Sequence, residues 1–102
     1  MVSKYRYGIG YEYQIKKRYE KLGMYVVRSA GSKGLFDLIA FNNKEIYLIC
    51  CRRREWPKSD REYVLRSVVR PENAYIIFFS LIYGVEKHYI YNHKNILLNT
   101  NY

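Results

Sequence analysis

The stretch from Met24 to Arg54, M-Y-V-V-R-S-A-G-S-K-G-L-F-D-L-I-A-F-N-N-K-E-I-Y-L-I-C-C-R-R-R, constrains this chain more than any other. Met24 to Arg28 is a short β-prone run, and Ser29 to Gly34 is a loop in which Gly31 and Gly34 loosen the backbone. Leu35–Phe41 and Ile46–Arg52 are near-continuous apolar runs joined by Asn42-Asn43, a pair that tolerates the positive φ of a tight turn. Strands apolar on both sides belong to a sheet covered on both faces. Asp37 interrupts the first run, so its carboxylate must be paired, ligating or at a solvent-facing strand end. Arg52, Arg53 and Arg54 leave the end of the second run.

Helical spacing precedes this hairpin. From Gly8 to Lys21 the residues Glu12, Ile15, Tyr19 and Leu22 share one face, and Gly23 follows as a stop. Glu12 on that inward face is costly without a partner. A metal, a basic side chain and the helix's own N-terminal amides all qualify. Residues 1–7 read as a polar, basic arm. After the hairpin, Ser59-Asp60-Arg61-Glu62 has the pattern of a capping box opening a second helix, which Pro71 ends. Ala74–Tyr83 is an aromatic strand, Gly84–Lys87 a turn and His88–Tyr91 a last strand, leaving 92–102 as a loose tail. The order αβββαββ describes one α/β sandwich domain over residues 1–102.

Charge narrows the function. With 18 Lys+Arg against 9 Asp+Glu the chain carries +9, which points to a polyanion and first to nucleic acid. Arg52, Arg53 and Arg54 beside Arg28, Ser32 and Lys33 read as phosphate contacts around the hairpin, and Lys4, Arg6, Lys16, Lys17 and Arg18 extend the basic area from the first helix. Adjacent Cys50 and Cys51 have Cα atoms about 3.8 Å apart, too close to bridge each other, and fit a reducing compartment. No run reaches the length of a membrane span, and the start lacks a signal-peptide core. These features suggest a soluble protein of the cytoplasm. Trp56, after the arginines, either stacks on a base or packs on the domain, and packing is the simpler reading.

R-x-G-x-x-x-E at Arg6, Gly8 and Glu12, then L-G-M-Y-V-V-R-S-A-G-S-K-G and F-D-L-I-A, resemble the archaeal Holliday junction resolvases, a branch of the PD-(D/E)xK nucleases. The resemblance covers about Tyr5 to Arg54 and implies a restriction-endonuclease-like fold, a mixed sheet flanked by helices. It implies Glu12 and Asp37 as Mg²⁺ ligands, Ser32 and Arg28 beside the scissile backbone, and E-x-K on the next strand. Here Cys50 stands at the glutamate position and Arg52 at the lysine position. A soft thiolate suits Zn²⁺ or Cu⁺ better than Mg²⁺, and Arg52 keeps the charge without serving readily as a proton shuttle. The resemblance thus implies a homodimeric protein binding branched or duplex DNA through a degenerate nuclease site. Two rivals stay open, an active endonuclease with a rebuilt metal site and a protein-interaction module on a nuclease scaffold. The small, tyrosine-rich form resembles a version from an archaeal virus, whose setting would be the host cytoplasm.

Overall fold

The computed structural model describes residues 4–29 and 34–101, with side chains described for 10–29 and 34–98. The elements run α1 (Lys4–Lys21), β1 (Tyr25–Arg28), β2 (Leu38–Phe41), β3 (Ile46–Arg52), α2 (Lys58–Ser67), β4 (Ala74–Ile82), β5 (Val85–Tyr91) and β6 (Leu97–Asn101). They form one six-stranded sheet in the order β1-β2-β3-β4-β5-β6. Every pairing is antiparallel except β3 with β4. A parallel pair needs a long crossover, which α2 supplies. Among the described residues no helix is long and apolar enough to cross a membrane.

Alternation along the strands divides the core in two. Leu38, Ala40, Ile49, Ile77 and Phe79 face α1, whose Tyr11, Ile15 and Tyr19 are buried against them. Cys50, Ile76, Phe78, Tyr89 and Tyr91 face the other way, under Trp56, Val64 and Leu65. The two central strands are therefore covered on both sides, as their unbroken apolar runs require.

Several expectations from the sequence need correction. β2 begins at Leu38 rather than Leu35, β5 begins at Val85 within the span expected as a turn, and neither Asn42 nor Asn43 takes a positive φ, the Asn42 side chain accepting the Lys44 and Glu45 amides instead. The arm expected over 1–7 is helical from Lys4, because Gly8 and Gly10 weaken a helix by about 1 kcal/mol each without breaking it. Tyr11 takes the buried position expected of Leu22, which is 69% exposed beyond the helix end, where Gly23 turns at φ 84°. The capping box at Ser59–Glu62 does not form. Pro57 occupies the N-cap with no side-chain bond, Ser59 lies inside α2, and Asp60 is drawn instead to Arg52. The tail expected from 92 to 102 contains β6. The Asn92 side chain accepts the Lys94 and Ile96 amides to turn the chain. Buried Arg70 donates to Asn92 O and Asn95 Oδ1, tying that turn to the α2–β4 loop. The order is thus αβββαβββ.

Candidate functional site

The β2–β3 register sets Leu38 opposite Ile49, so Asp37, one residue earlier, stands level with Cys50. The Asp37 amide donates to Ile49 O at 2.8 Å, fixing the backbone at this end of the sheet. β1 ends at the same level with Arg28 opposite Leu38. α1 crosses above and brings Glu12 down to both. Arg28 Nε donates to Glu12 Oε2 at 3.0 Å, with both side chains under 20% exposed. The guanidinium also lies 5.3 Å from the Tyr13 ring. The partner that inward Glu12 requires is therefore a basic side chain.

Asp37 is held from the other side, its Oδ2 accepting the Cys51 amide at 2.7 Å. The Glu12 and Asp37 carboxyls influence each other electrostatically, the Asp37 charge adding to the upward push on Glu12. Burial is the main cause pushing both groups above the ordinary carboxylate range. For Glu12 the Arg28 bond opposes it, and for Asp37 the Cys51 amide, Glu12, Arg52 and Arg28 do. The site is a half-buried pair of carboxyl groups, with Arg28 paired to Glu12 and the Cys51 amide bonded to Asp37.

The E-x-K positions do not complete a metal cage. Cys50 is 1% exposed and donates its Sγ–H to Leu35 O at 3.2 Å, inside the α2-side core. Burial first, then the Asp37 charge, pushes this thiol far above its usual range, so it stays neutral. Arg52 stacks on Trp56 with its guanidinium carbon 3.4 Å from the ring centre and pairs with Asp60 at 3.1 Å. Trp56 is itself buried, donating Nε1–H to Phe79 O, so packing is its role. Mg²⁺ takes hard oxygen ligands in near-ideal octahedral geometry. Two carboxyls, one already paired to arginine, and a neutral thiol do not fit that ion. Among the described residues no group of three or more His, Cys, Asp and Glu side chains gathers around a common point.

The fold brings together Glu12, Arg28, Asp37, Cys50 and Arg52. Arg53 and Arg54 follow from β3, Arg53 lying 5.7 Å from the Tyr11 ring and Arg54 exposed. Lys17 is exposed on α1, whereas Lys16 pairs with Glu20 at 2.8 Å. Arg18 is not free surface charge. It forks onto Glu86 of β5, which also accepts from the Tyr11 hydroxyl. This brace beside Glu12 joins residues 68 and 75 positions apart, and no local pattern announces it. Ser32 and Lys33 lie outside the described residues. Arg6 sits in the first turns of α1, its side chain also outside them.

Residues 3–75 match the family model described as archaeal Holliday junction resolvase, Hjc. The crossover junction endodeoxyribonuclease Hjc of Methanocaldococcus jannaschii is 46% identical over 52 residues, which are 51% of this chain and 38% of that protein. The chain thus matches well under half the length of that relative. The structure of Archaeoglobus fulgidus Hjc, a Holliday junction resolvase from an archaeal hyperthermophile, superposes with TM-score 0.58 at 18% identity. That superposition covers 85% of this chain and 78% of the other, and it shows the same α/β fold, of the restriction-endonuclease-like kind. The chain belongs to the archaeal Holliday junction resolvase family.

Proposed function

We propose that this protein binds branched or duplex DNA on the resolvase scaffold with its metal-dependent cleavage lost or weak. The observation that carries the reading is Cys50, a neutral, buried thiol at the place of the second carboxylate. Arg52, folded onto Trp56 and Asp60, supports it from the lysine position. Glu12 meets Arg28 where a ligating carboxylate would meet a cation. What persists is a basic surface, with Arg53 and Arg54 following β3 beyond the site and Lys17 exposed further along α1, on a chain of charge +9. Contacts of that kind give affinity without sequence information. A homodimer belongs to this reading, because a symmetric four-way junction presents two equivalent strands.

The test is binding to a four-way junction and to duplex DNA at two salt concentrations, with cleavage followed in Mg²⁺ and Mn²⁺. Binding that weakens steeply with salt, without metal-dependent strand scission, is the expected result. Efficient scission that disappears in Asp37→Asn would refute the inactive site. Absence of binding to either DNA at low salt would remove the nucleic-acid reading and favour a protein-interaction module.

A further inference from the structure

The β4–β5 hairpin ends in a two-residue loop, Tyr83-Gly84, closed by Ile82 opposite Val85. Both loop residues have positive φ, 49° and 77°, the pattern of a type I′ turn. Asn, Asp and Gly take the first position of such a turn readily, whereas a bulky residue there is a backbone outlier. This chain keeps a tyrosine in that conformation, and its ring is wholly uncovered at 102% exposure. Among the described large hydrophobic side chains only Val69 is as bare. Strain held at a fully exposed ring brings nothing to the fold. An observed outlier of this kind is grounds for a functional hypothesis.

Its surroundings indicate the ligand. β4 runs parallel to β3, with Arg52 level with Ser80, so the hairpin tip projects from the same end of the sheet as the site. Between tip and site lies an open groove of about 340 Å³ lined by Arg53, Arg54, Glu55, Leu81, Ile82 and Tyr83. The acidic member, Glu55, is already engaged by Lys87 at 3.3 Å and the Tyr89 hydroxyl at 3.4 Å. The groove thus offers two arginines for phosphate, an apolar floor and a bare aromatic ring at its outer rim. Basic grooves with aromatic platforms bind unpaired nucleic-acid strands, the rings stacking on bases and the cations tracking the backbone. Fully paired duplex keeps its bases stacked inside and gives such a ring little to grip.

We propose that Tyr83 is a base-stacking wedge that engages an unpaired or splayed nucleobase of branched DNA, with Arg53 and Arg54 holding the flanking phosphates. The proposal rests on the DNA-binding reading above and adds the structural preference that phosphate contacts alone lack. Asp37 is level with Cys50 and hence with Phe78, and Tyr83 lies five residues further along β4. That is about 16 Å at 3.3 Å per residue, or roughly five base rises of 3.4 Å.

The variant that tests this is Tyr83→Asn, which suits the type I′ turn and removes the ring, so it folds at least as well as the native chain. Tyr83→Phe and Tyr83→Trp keep a stacking surface. Affinity for a four-way junction and for a matched duplex is measured at one fixed salt concentration. 2-aminopurine placed at the branch point reports stacking by fluorescence. Expected are a roughly tenfold weaker junction complex for Tyr83→Asn, unchanged duplex binding, and loss of the 2-aminopurine response that the Phe and Trp variants retain. Junction affinity and fluorescence equal to the native protein's in Tyr83→Asn would overturn the wedge and leave the DNA-binding reading standing. Failure of the native protein to bind either DNA would overturn both.

Discussion

On the proposed reading, in which Cys50 and Arg52 stand at the E-x-K positions, replacing them with Glu and Lys should restore a metal-binding carboxylate, and the structure indicates what this should cost. Cys50 is 1% exposed among Trp56, Ile76, Phe78 and the α2 side chains Val64 and Leu65. Glu is three heavy atoms larger, and overpacking a core costs about 1–3 kcal/mol. Losing the Arg52 stack on Trp56 removes about 1 kcal/mol more, and a third carboxyl beside Asp37 and Glu12 adds charge to a buried pair. A loss of about 3–5 kcal/mol without metal therefore follows, to be set against a total stability of about 5–15 kcal/mol for such a domain. In a chain of 102 residues each kcal/mol moves Tm by roughly 4–8 °C, so the double variant in EDTA should melt at least about 12 °C below the native protein. Mg²⁺ at 100 times its Kd should return about 2.7 kcal/mol, or more than about 10 °C of that fall.

The assay is thermal unfolding of the native and double-variant proteins in EDTA and in Mg²⁺, with Cys50→Ala/Arg52→Lys as a control that adds no carboxylate. Only the Glu-bearing variant should respond to the ion. A native protein stabilised by Mg²⁺ as strongly as the variant would refute the claim that Cys50 abolishes the site. A folded double variant indifferent to Mg²⁺ would refute the placement of Cys50 and Arg52 at the E-x-K positions.

Three further outcomes follow from the same geometry. Asp37→Asn removes a half-buried carboxylate that burial disfavours, while its amide oxygen still accepts from Cys51, so Tm should rise, by an amount equivalent to about 1 kcal/mol; a fall in Tm would show that the Asp37 charge is itself stabilising. Burial pushes Glu86 up, but the Arg18 fork and the Tyr11 hydroxyl outweigh it and hold the group below its usual 4.5. Its stability contribution is therefore full above that value and lost as pH falls through the depressed folded pKa; Glu86→Gln should cost about 1 kcal/mol at neutral pH and flatten this acid limb, which urea unfolding between pH 3 and 6 would check. In DNA-binding titrations over a salt series, Arg53→Ala/Arg54→Ala should lower the slope of log K on log salt by about 2; an unchanged slope would take both residues off the phosphate path.

How far the sequence foretold this site depends on whether a residue's partner is local. β3 was readable residue by residue as Ile46–Arg52, because an unbroken apolar run sits between Asn42-Asn43 and the arginines. Glu12 announced its need for a partner by lying on an apolar helical face, and Arg28 supplies it. β6 was not readable. Its polar residues Asn99 and Asn101 carry no apolar alternation, and its pairing is imposed by the free edge of β5. Charge was the least legible of all, since composition counts cations without saying where they point. Arg18 goes to Glu86, Arg28 to Glu12 and Arg52 to Asp60 and Trp56. Arg61 donates to the Trp56 carbonyl and lies 4.0 Å from the Tyr89 ring, and Arg70 is buried against backbone carbonyls. Five arginines thus serve the fold before any ligand arrives, so the net charge overstates the surface that DNA would meet. On the proposed reading, a preference for branched DNA would come less from bulk charge than from a few groups placed at the rim, where the chain keeps Arg53, Arg54 and a strained, uncovered Tyr83.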